Sequence, residues 1–114
     1  MDPRWSDRER VDRECQSVNY ADLEYVPGAG QHYYRDQPFT GACVQRYPDG
    51  KLENIVQFVE GVNAGVTVVW YPSGRIHLYR ELHDGVLHGR DVEWAEDGSR
   101  VTEKYYREGL EVRP

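Results

Sequence analysis

Residues 47–51 read Tyr-Pro-Asp-Gly-Lys, and residues 71–75, one repeat later, read Tyr-Pro-Ser-Gly-Arg. Residues 95–99 read Ala-Glu-Asp-Gly-Ser and keep the glycine without the Tyr-Pro pair. Proline presets φ at the first position of a three-residue hairpin loop, and glycine accepts the left-handed third position. Each segment therefore predicts a β-hairpin loop. The structural turn glycines are Gly50, Gly74 and Gly98.

The same period extends through most of the chain. Most of the glycines fall in three columns of constant spacing, which is the signature of an internal repeat: Gly41, Gly65, Gly89; Gly50, Gly74, Gly98; and Gly61, Gly85, Gly109. A second turn, Glu-Gly or Asp-Gly, joins successive hairpins. The pattern predicts an all-β fold, a single elongated antiparallel β-meander of tandem 24-residue hairpins. Its units are a first hairpin over 18–40 and repeats over 41–64, 65–88 and 89–112.

The N-terminal segment, residues 1–17, differs from the repeat region, residues 18–114. Ser6 and Glu9 have the spacing of a helix capping box. Val11, Cys15 and Val18 then form a thin apolar stripe at helical spacing. The segment is either a short helix docked on the sheet or a frayed charged tail.

Composition and charge exclude several classes of protein. The 114 residues suit one domain, and the net charge is −6, with −5 of it between residues 81 and 111. A protein that binds a nucleic acid or an anionic membrane needs a positively charged contact face, which the negative net charge disfavours. No apolar run approaches a membrane span and no secretory signal is evident, so we expect a cytoplasmic protein with Cys15 and Cys43 as reduced thiols.

No enzyme motif is present in the sequence. Residues 28–30, Gly-Ala-Gly, lack the third glycine and the helix of a dinucleotide-binding loop. His77 and His83 lie on one predicted strand, and we expect no metal site from them. Glu93 and Glu103 could face each other, but on an open sheet they would stay solvated. We expect no catalytic residues, no cofactor and no metal.

The register set by the loops divides the side chains between two faces. One face is apolar and includes Val68, Trp70, Leu78, Leu82 and Phe58, all expected to be buried. The other carries tyrosines and carboxylates, and the candidate partner-binding residues are Tyr47, Tyr71, Tyr79, Asp91, Glu93, Glu103 and Tyr105. The alternative is that these tyrosines only pack against cross-strand neighbours.

The repeat resembles a known family. The segments Phe39-Thr40-Gly41, residues 47–52 and residues 70–76 are similar to the MORN repeat variant, most closely to bacterial YwqK-type antitoxin (immunity) proteins. The similarity covers about residues 18–112. The third repeat departs from the pattern at Ala95-Glu96, where the family has Tyr-Pro, as terminal repeats often do.

The resemblance implies an immunity protein that binds and neutralises a cognate bacterial toxin through an acidic, tyrosine-rich surface. An acidic surface would suit a toxin with a basic groove. The alternative is a MORN-type scaffold module that joins other proteins without a toxin. Lipid binding, known in the wider repeat class, is disfavoured by the charge. Neither of the two main hypotheses involves a nucleic acid or a membrane.

Overall fold

The computed structural model describes residues 2–113, which form mainly β-structure. The N-terminal segment contains a 3-10 helix, Pro3–Ser6, and the helix α1, Arg8–Glu14; a second 3-10 helix spans Tyr20–Asp22. The strands are β1 (Val18–Asn19), β2 (Glu24–Val26), β3 (Gln31–Tyr34), β4 (Gln37–Pro38), β5 (Gly41–Arg46), β6 (Leu52–Val59), β7 (Val62–Trp70), β8 (Ile76–His83), β9 (Val86–Trp94), β10 (Arg100–Arg107) and β11 (Leu110–Val112).

Strands β5 to β11 lie in sequence order in the main sheet, each antiparallel to the next. Two features differ from the expected single antiparallel sheet. The two-residue strand β1 pairs in parallel with β5 at one edge, and β2, β3 and β4 form a separate small sheet. The molecule is also a slab of 41 × 38 × 20 Å rather than an elongated ribbon.

The three-residue loops adopt the expected geometry. The Tyr47 N–H donates to the Lys51 carbonyl at 2.9 Å, and the Gly50 N–H donates to the Tyr47 carbonyl at 2.9 Å. The φ angles of Gly50, Gly74 and Gly98 are +88°, +96° and +92°, which confirms the three turn glycines.

Two of these glycines provide a matched test of the loop. A Cβ at Gly50 would meet nothing within 4 Å, whereas a Cβ at Gly74 would lie 3.1 Å from Nη2 of Arg8. We expect Gly50→Ala to lower the free energy of unfolding by about 1 kcal/mol, the cost of a side chain at positive φ. We expect Gly74→Ala to cost more because it also displaces Arg8. Chemical denaturation measures both, and equal losses would contradict the contact between Arg8 and the loop.

Each long hairpin carries an irregularity that the loop pattern did not reveal. The pairing of β5 with β6 shifts at Glu53, which is left without a partner on the facing strand. The same shift occurs at the equivalent positions of the next two repeats, His77 in β8 and Val101 in β10. An inserted residue reverses the alternation of the side chains beyond it. The predicted division into an apolar face and a tyrosine-carboxylate face is therefore wrong for the second strand of each hairpin.

The first face of the main sheet carries the larger core. Trp70 and Val68 are fully buried there, as expected. The N-terminal segment covers this face and contributes two buried side chains, Trp5 and Val11. The complete cluster contains Trp5, Val11, Val44, Leu52, Ile55, Val68, Trp70 and Tyr79.

The second face carries a smaller core beneath the small sheet. Phe58 is buried, as expected, but it packs here with Phe39 and Cys43 rather than with Trp70. Leu78 and Leu82 also project from this face and remain only half-buried, so their expected burial is not found. They lie outside the cluster that the small sheet covers, which consists of Phe39, Cys43 and Phe58 with Val18, Leu23, Tyr34 and Val56 around it.

The N-terminal segment is a short helix docked on the sheet, one of the two alternatives that its sequence left open. Asp7, not Ser6, is the N-cap of α1, and its carboxylate accepts from the Arg10 N–H at 3.2 Å. The Ser6 hydroxyl instead donates to the Pro3 carbonyl. A helix as short as α1 is unstable by itself, so packing against the sheet must hold it.

Polar contacts fix the position of the segment. The Trp70 indole N–H donates to the Trp5 carbonyl at 3.0 Å, in a buried position. The Arg8 guanidinium is buried as well and donates to the Tyr71 carbonyl at 3.2 Å. Asp12 receives two hydrogen bonds of 2.9 Å from Arg46. The helix is thus attached to the loops of the first two long hairpins.

Candidate protein-binding surfaces

The structure does not place the seven candidate partner-binding residues on one face. Tyr79, Glu103 and Tyr105 project from the first face, whereas Asp91 and Glu93 project from the second. Tyr47 and Tyr71 lie at the loops. The bulges in β8 and β10 cause the separation, because they reverse the side-chain alternation between the two strands of each hairpin.

Tyr47 and Tyr71 connect successive hairpins. The Tyr47 hydroxyl donates to the Trp70 carbonyl at 2.6 Å, and the Tyr71 hydroxyl donates to the Trp94 carbonyl at 2.7 Å. Both bonds reach the end of the first strand in the following repeat. Tyrosine thus recurs at a position where its hydroxyl connects one hairpin to the next.

Tyr79 belongs to the core. Only 3% of the residue is exposed, and its hydroxyl donates to Oε2 of Glu81 at 2.7 Å. Burial, followed by the neighbouring Glu81 carboxylate, raises the pKa of the Tyr79 phenol well above its ordinary value. It packs in the cluster with Trp5 and Val11 of the N-terminal segment, so it offers almost no surface to a partner.

Glu103 and Tyr105 take part in a polar network on the first face. The Tyr105 hydroxyl donates to Glu103, which also receives hydrogen bonds from Arg90 at 3.1 Å and Arg100 at 2.6 Å. The hydrogen bond from Tyr105, with the nearby arginines, lowers the pKa of the Glu103 carboxyl. The network neutralises Glu103, so it adds little to the attraction of a basic partner.

Asp91 is similarly neutralised on the second face. Its carboxylate lies 3.2 Å from Nε of Arg80 on the neighbouring strand, and its side chain is only 15% exposed. Glu93 differs, because its side chain is 45% exposed and its closest basic group is the imidazole of His77, 3.7 Å away. Glu93 is thus the candidate carboxylate that remains most accessible to a partner.

Five residues lie at the loop end of the second and third hairpins. We call them the acidic platform, and they are Tyr71, His77, Glu93, Glu96 and Asp97. The rings of Tyr71 and His77 stack with their centroids 4.2 Å apart and an angle of 19° between their planes. The pKa of the Tyr71 phenol is raised, first by lost solvation and then by Glu96, Glu93 and Asp97 nearby. Three carboxylates are therefore close enough to the Tyr71 phenol to raise its pKa.

One basic side chain borders the platform. Arg75 donates to the backbone carbonyl of Asp97, so it partly offsets the local negative charge. The Asp97 carboxylate accepts from the Ser99 hydroxyl and N–H, which lowers its pKa and keeps it ionised. Residues 81–99 as a whole contain six acidic residues and one arginine, and thus hold the excess that the sequence placed in 81–111.

Sequence reasoning missed His77, Glu96 and Asp97 as members of the platform. Glu96 and Asp97 occupy the loop positions where the earlier repeats have Pro and Asp or Ser, and the departure was interpreted only as a terminal irregularity. His77 is the extra residue of a bulge, which the loop pattern does not predict. Bulges re-aim side chains, and this one places the imidazole against Tyr71.

Within residues 2–113, no three His, Cys, Asp or Glu side chains lie close enough to hold a metal ion. Burial raises the pKa of the Cys43 thiol to about 11, which disfavours its reactive thiolate form. Neither the helix α1 nor the 3-10 helices in this range have the length and apolar character needed to cross a membrane.

Comparisons of the chain with models of protein families, with curated proteins and with solved structures gave no match.

Proposed function

We propose that this protein is a cytoplasmic immunity protein that binds and neutralises a bacterial toxin with a basic surface. The observation that carries the proposal is the acidic platform, in which Glu93 lies 3.7 Å from His77, His77 stacks on Tyr71, and Glu96 and Asp97 occupy the adjoining loop. The net charge of −6 and the similarity to YwqK-type antitoxins support the same function.

The platform suits the binding of arginine or lysine side chains. Its carboxylates can pair with a cationic group, and the aromatic rings provide contact area with little loss of side-chain entropy. Toxins that attack nucleic acids carry basic grooves, and long-range attraction to such a groove accelerates association. Occupying the groove would exclude the nucleic-acid substrate, so neutralisation requires no chemistry from this chain.

We further propose that the three long hairpins are MORN-like repeats. Equivalent hydrogen bonds connect them: the N–H groups of Gly61, Gly85 and Gly109 donate to the carbonyls of Phe39, Asn63 and Leu87, at 2.7, 2.8 and 2.8 Å. Each donor and each acceptor recurs at the period of the repeat. A regular stack of this kind also favours the alternative function, a scaffold module that joins other proteins without a toxin.

Co-expression with the toxin tests the proposal. The natural candidate is the product of the neighbouring gene, and a secreted toxin at that position would favour immunity over a scaffold. We expect Glu93→Lys with Glu96→Lys to abolish protection and to lower kon by about tenfold or more at low ionic strength. The matched control is Asp22→Lys with Glu24→Lys, two exposed carboxylates near the small sheet, which should leave protection intact.

The outcomes separate the hypotheses. Full protection by the folded Glu93→Lys, Glu96→Lys variant would show that the toxin binds elsewhere. Equal loss in the control would indicate a dependence on total charge rather than on the platform. Tyr71→Phe should weaken the hairpin contact and reduce stability but leave association fast, because the aromatic ring and the carboxylates remain.

A further inference from the structure

A row of exposed aliphatic side chains lies on the first face, at the opposite end of the hairpins from the acidic platform. Val59 pairs with Val62, Val86 pairs with His83, and Leu110 pairs with Arg107. Val59, Val86 and Leu110 are 51%, 41% and 74% exposed, and Val62 is half-buried. We call these four aliphatic residues, Val59, Val62, Val86 and Leu110, the turn-end strip.

The N-terminal segment leaves the strip uncovered. Its buried side chains Trp5 and Val11 pack instead on the core around Trp70. Two further exposed apolar residues of the first face, Tyr105 and Val112, pair with each other beside the strip. Contiguous exposed apolar side chains on one face are typical of an interaction site.

The strip follows the repeat of the sheet. Val62, Val86 and Leu110 each come directly after the glycine of a turn between hairpins, so they occupy equivalent positions in successive repeats. Val62 lies beside Gly85 and Val86 beside Gly109, so consecutive members contact the next turn. Equivalent residues of successive hairpins are separated by two strand spacings, about 9.6 Å. The strip therefore offers three aliphatic contacts at a regular interval.

Carboxylates recur in the turns beside the strip, at the same 24-residue spacing as Val62, Val86 and Leu110. Glu60, Asp84 and Glu108 precede the turn glycines, and all three are exposed. Two basic groups lie within the row, His83 and Arg107, and the imidazole of His88 lies 3.8 Å from the Glu108 carboxylate. Apart from the histidines, the turn-end strip and its border carry three negative charges and one positive charge.

We propose that the turn-end strip binds a basic amphipathic α-helix of a protein partner, lying across the strands. Residues seven apart on an α-helix lie on one side of it and about 10.5 Å apart along its axis. That interval matches the spacing of Val62, Val86 and Leu110. Lysine or arginine residues beside the apolar positions would face Glu60, Asp84 and Glu108.

Other occupants fit these features less well. Side chains on one side of an extended strand recur about every 6.6 Å, which does not match the strip. Two copies of this chain placed face to face would bring their rows of carboxylates together, with only Arg107 of each copy to offset them. The inference concerns a surface distinct from the acidic platform and holds whether or not the partner is a toxin.

A designed peptide tests the inference directly. The probe is a fluorescent helical peptide of three heptads, with one leucine at the same position of each heptad, flanking lysines, and alanine elsewhere. A control peptide of the same composition has its leucines at every fifth position. We expect saturable binding of the first peptide by fluorescence anisotropy and at least about tenfold weaker binding of the second.

Variants of the protein locate the contact. Val86→Glu with Leu110→Glu should weaken binding of the first peptide by about tenfold or more. Val101→Glu is the matched control, because Val101 is 58% exposed but lies outside the strip, and it should leave affinity within about twofold. Asp84→Asn with Glu108→Gln should reduce the salt dependence of binding.

Three results would overturn the inference. The first is an absence of saturable binding by the heptad-spaced peptide. The second is equal affinity for both peptides, or an equal loss in the Val101→Glu control. The third is a dimer of the unmodified protein, detected by sedimentation, that Val86→Glu with Leu110→Glu dissociates, because it would identify the occupant as a second copy.

Discussion

Replacing Trp70 by alanine should lower the free energy of unfolding by about 3–5 kcal/mol, a large share of the stability of a domain this size. Trp70 is fully buried on the first face, between the sheet and the N-terminal segment. Its loss leaves a cavity and removes the donor that binds the Trp5 carbonyl. Denaturant unfolding followed by circular dichroism measures the change.

Trp94 is the matched control for this substitution. It occupies the equivalent position of the next repeat, but it is only half-buried at the margin of the core. We expect Trp94→Ala to cost clearly less than Trp70→Ala. Trp70→Phe should recover most of the loss, because it restores apolar volume but not the indole donor. Equal costs for the two alanine variants would show that the N-terminal segment adds nothing to the environment of Trp70.

Deleting residues 1–16 should have an effect of similar size, on the order of 5 kcal/mol. The deletion removes the buried side chains of Trp5 and Val11 and exposes the sheet residues beneath them. It also removes Arg8 and Asp12, which hold the loops at Tyr71 and Arg46. We expect a lower Tm and binding of a hydrophobic dye to the uncovered face.

Arg8→Ala serves as a smaller version of the same test. Its guanidinium donates to two backbone carbonyls that accept from no other described side chain, so the variant should lose about 1–3 kcal/mol without exposing Trp70. A shortened chain with an unchanged Tm would contradict the role of the N-terminal segment as a cover.

The division of the candidate binding residues illustrates what local patterns miss. Tyr71 and Glu93, two of the candidate partner-binding residues, both lie beside His77, with a ring-centroid distance of 4.2 Å to Tyr71 and an Nε2–Oε1 distance of 3.7 Å to Glu93. Tyr79 was assigned the same role from the same alternation, yet it is part of the core. The sequence contains a signal for the bulge that moves Tyr79 into the core. Ile76 and Tyr79 have two residues between them, as do Leu52 and Ile55 one repeat earlier. Two inward residues at that spacing in one strand require a bulge between them.

The local structure of this chain follows from residues that are close together in the sequence. Gly50, Gly74 and Gly98 have φ angles that favour glycine for steric reasons within a few residues, so the loops could be inferred without knowledge of their neighbours. The period of the repeat likewise indicated the order of the long hairpins, because short turns leave adjacent strands no alternative but to pair. The charge excess could be counted directly.

Which side chains share a surface depends instead on segments that meet only in the folded molecule. The bulges at Glu53, His77 and Val101 arise where several strands must direct apolar residues into one core, a requirement that no single hairpin contains. The placement of Trp5 over Trp70, and of the small sheet over Phe58, depends on contacts between segments far apart in the chain. The acidic platform and the turn-end strip are what these two covers leave exposed.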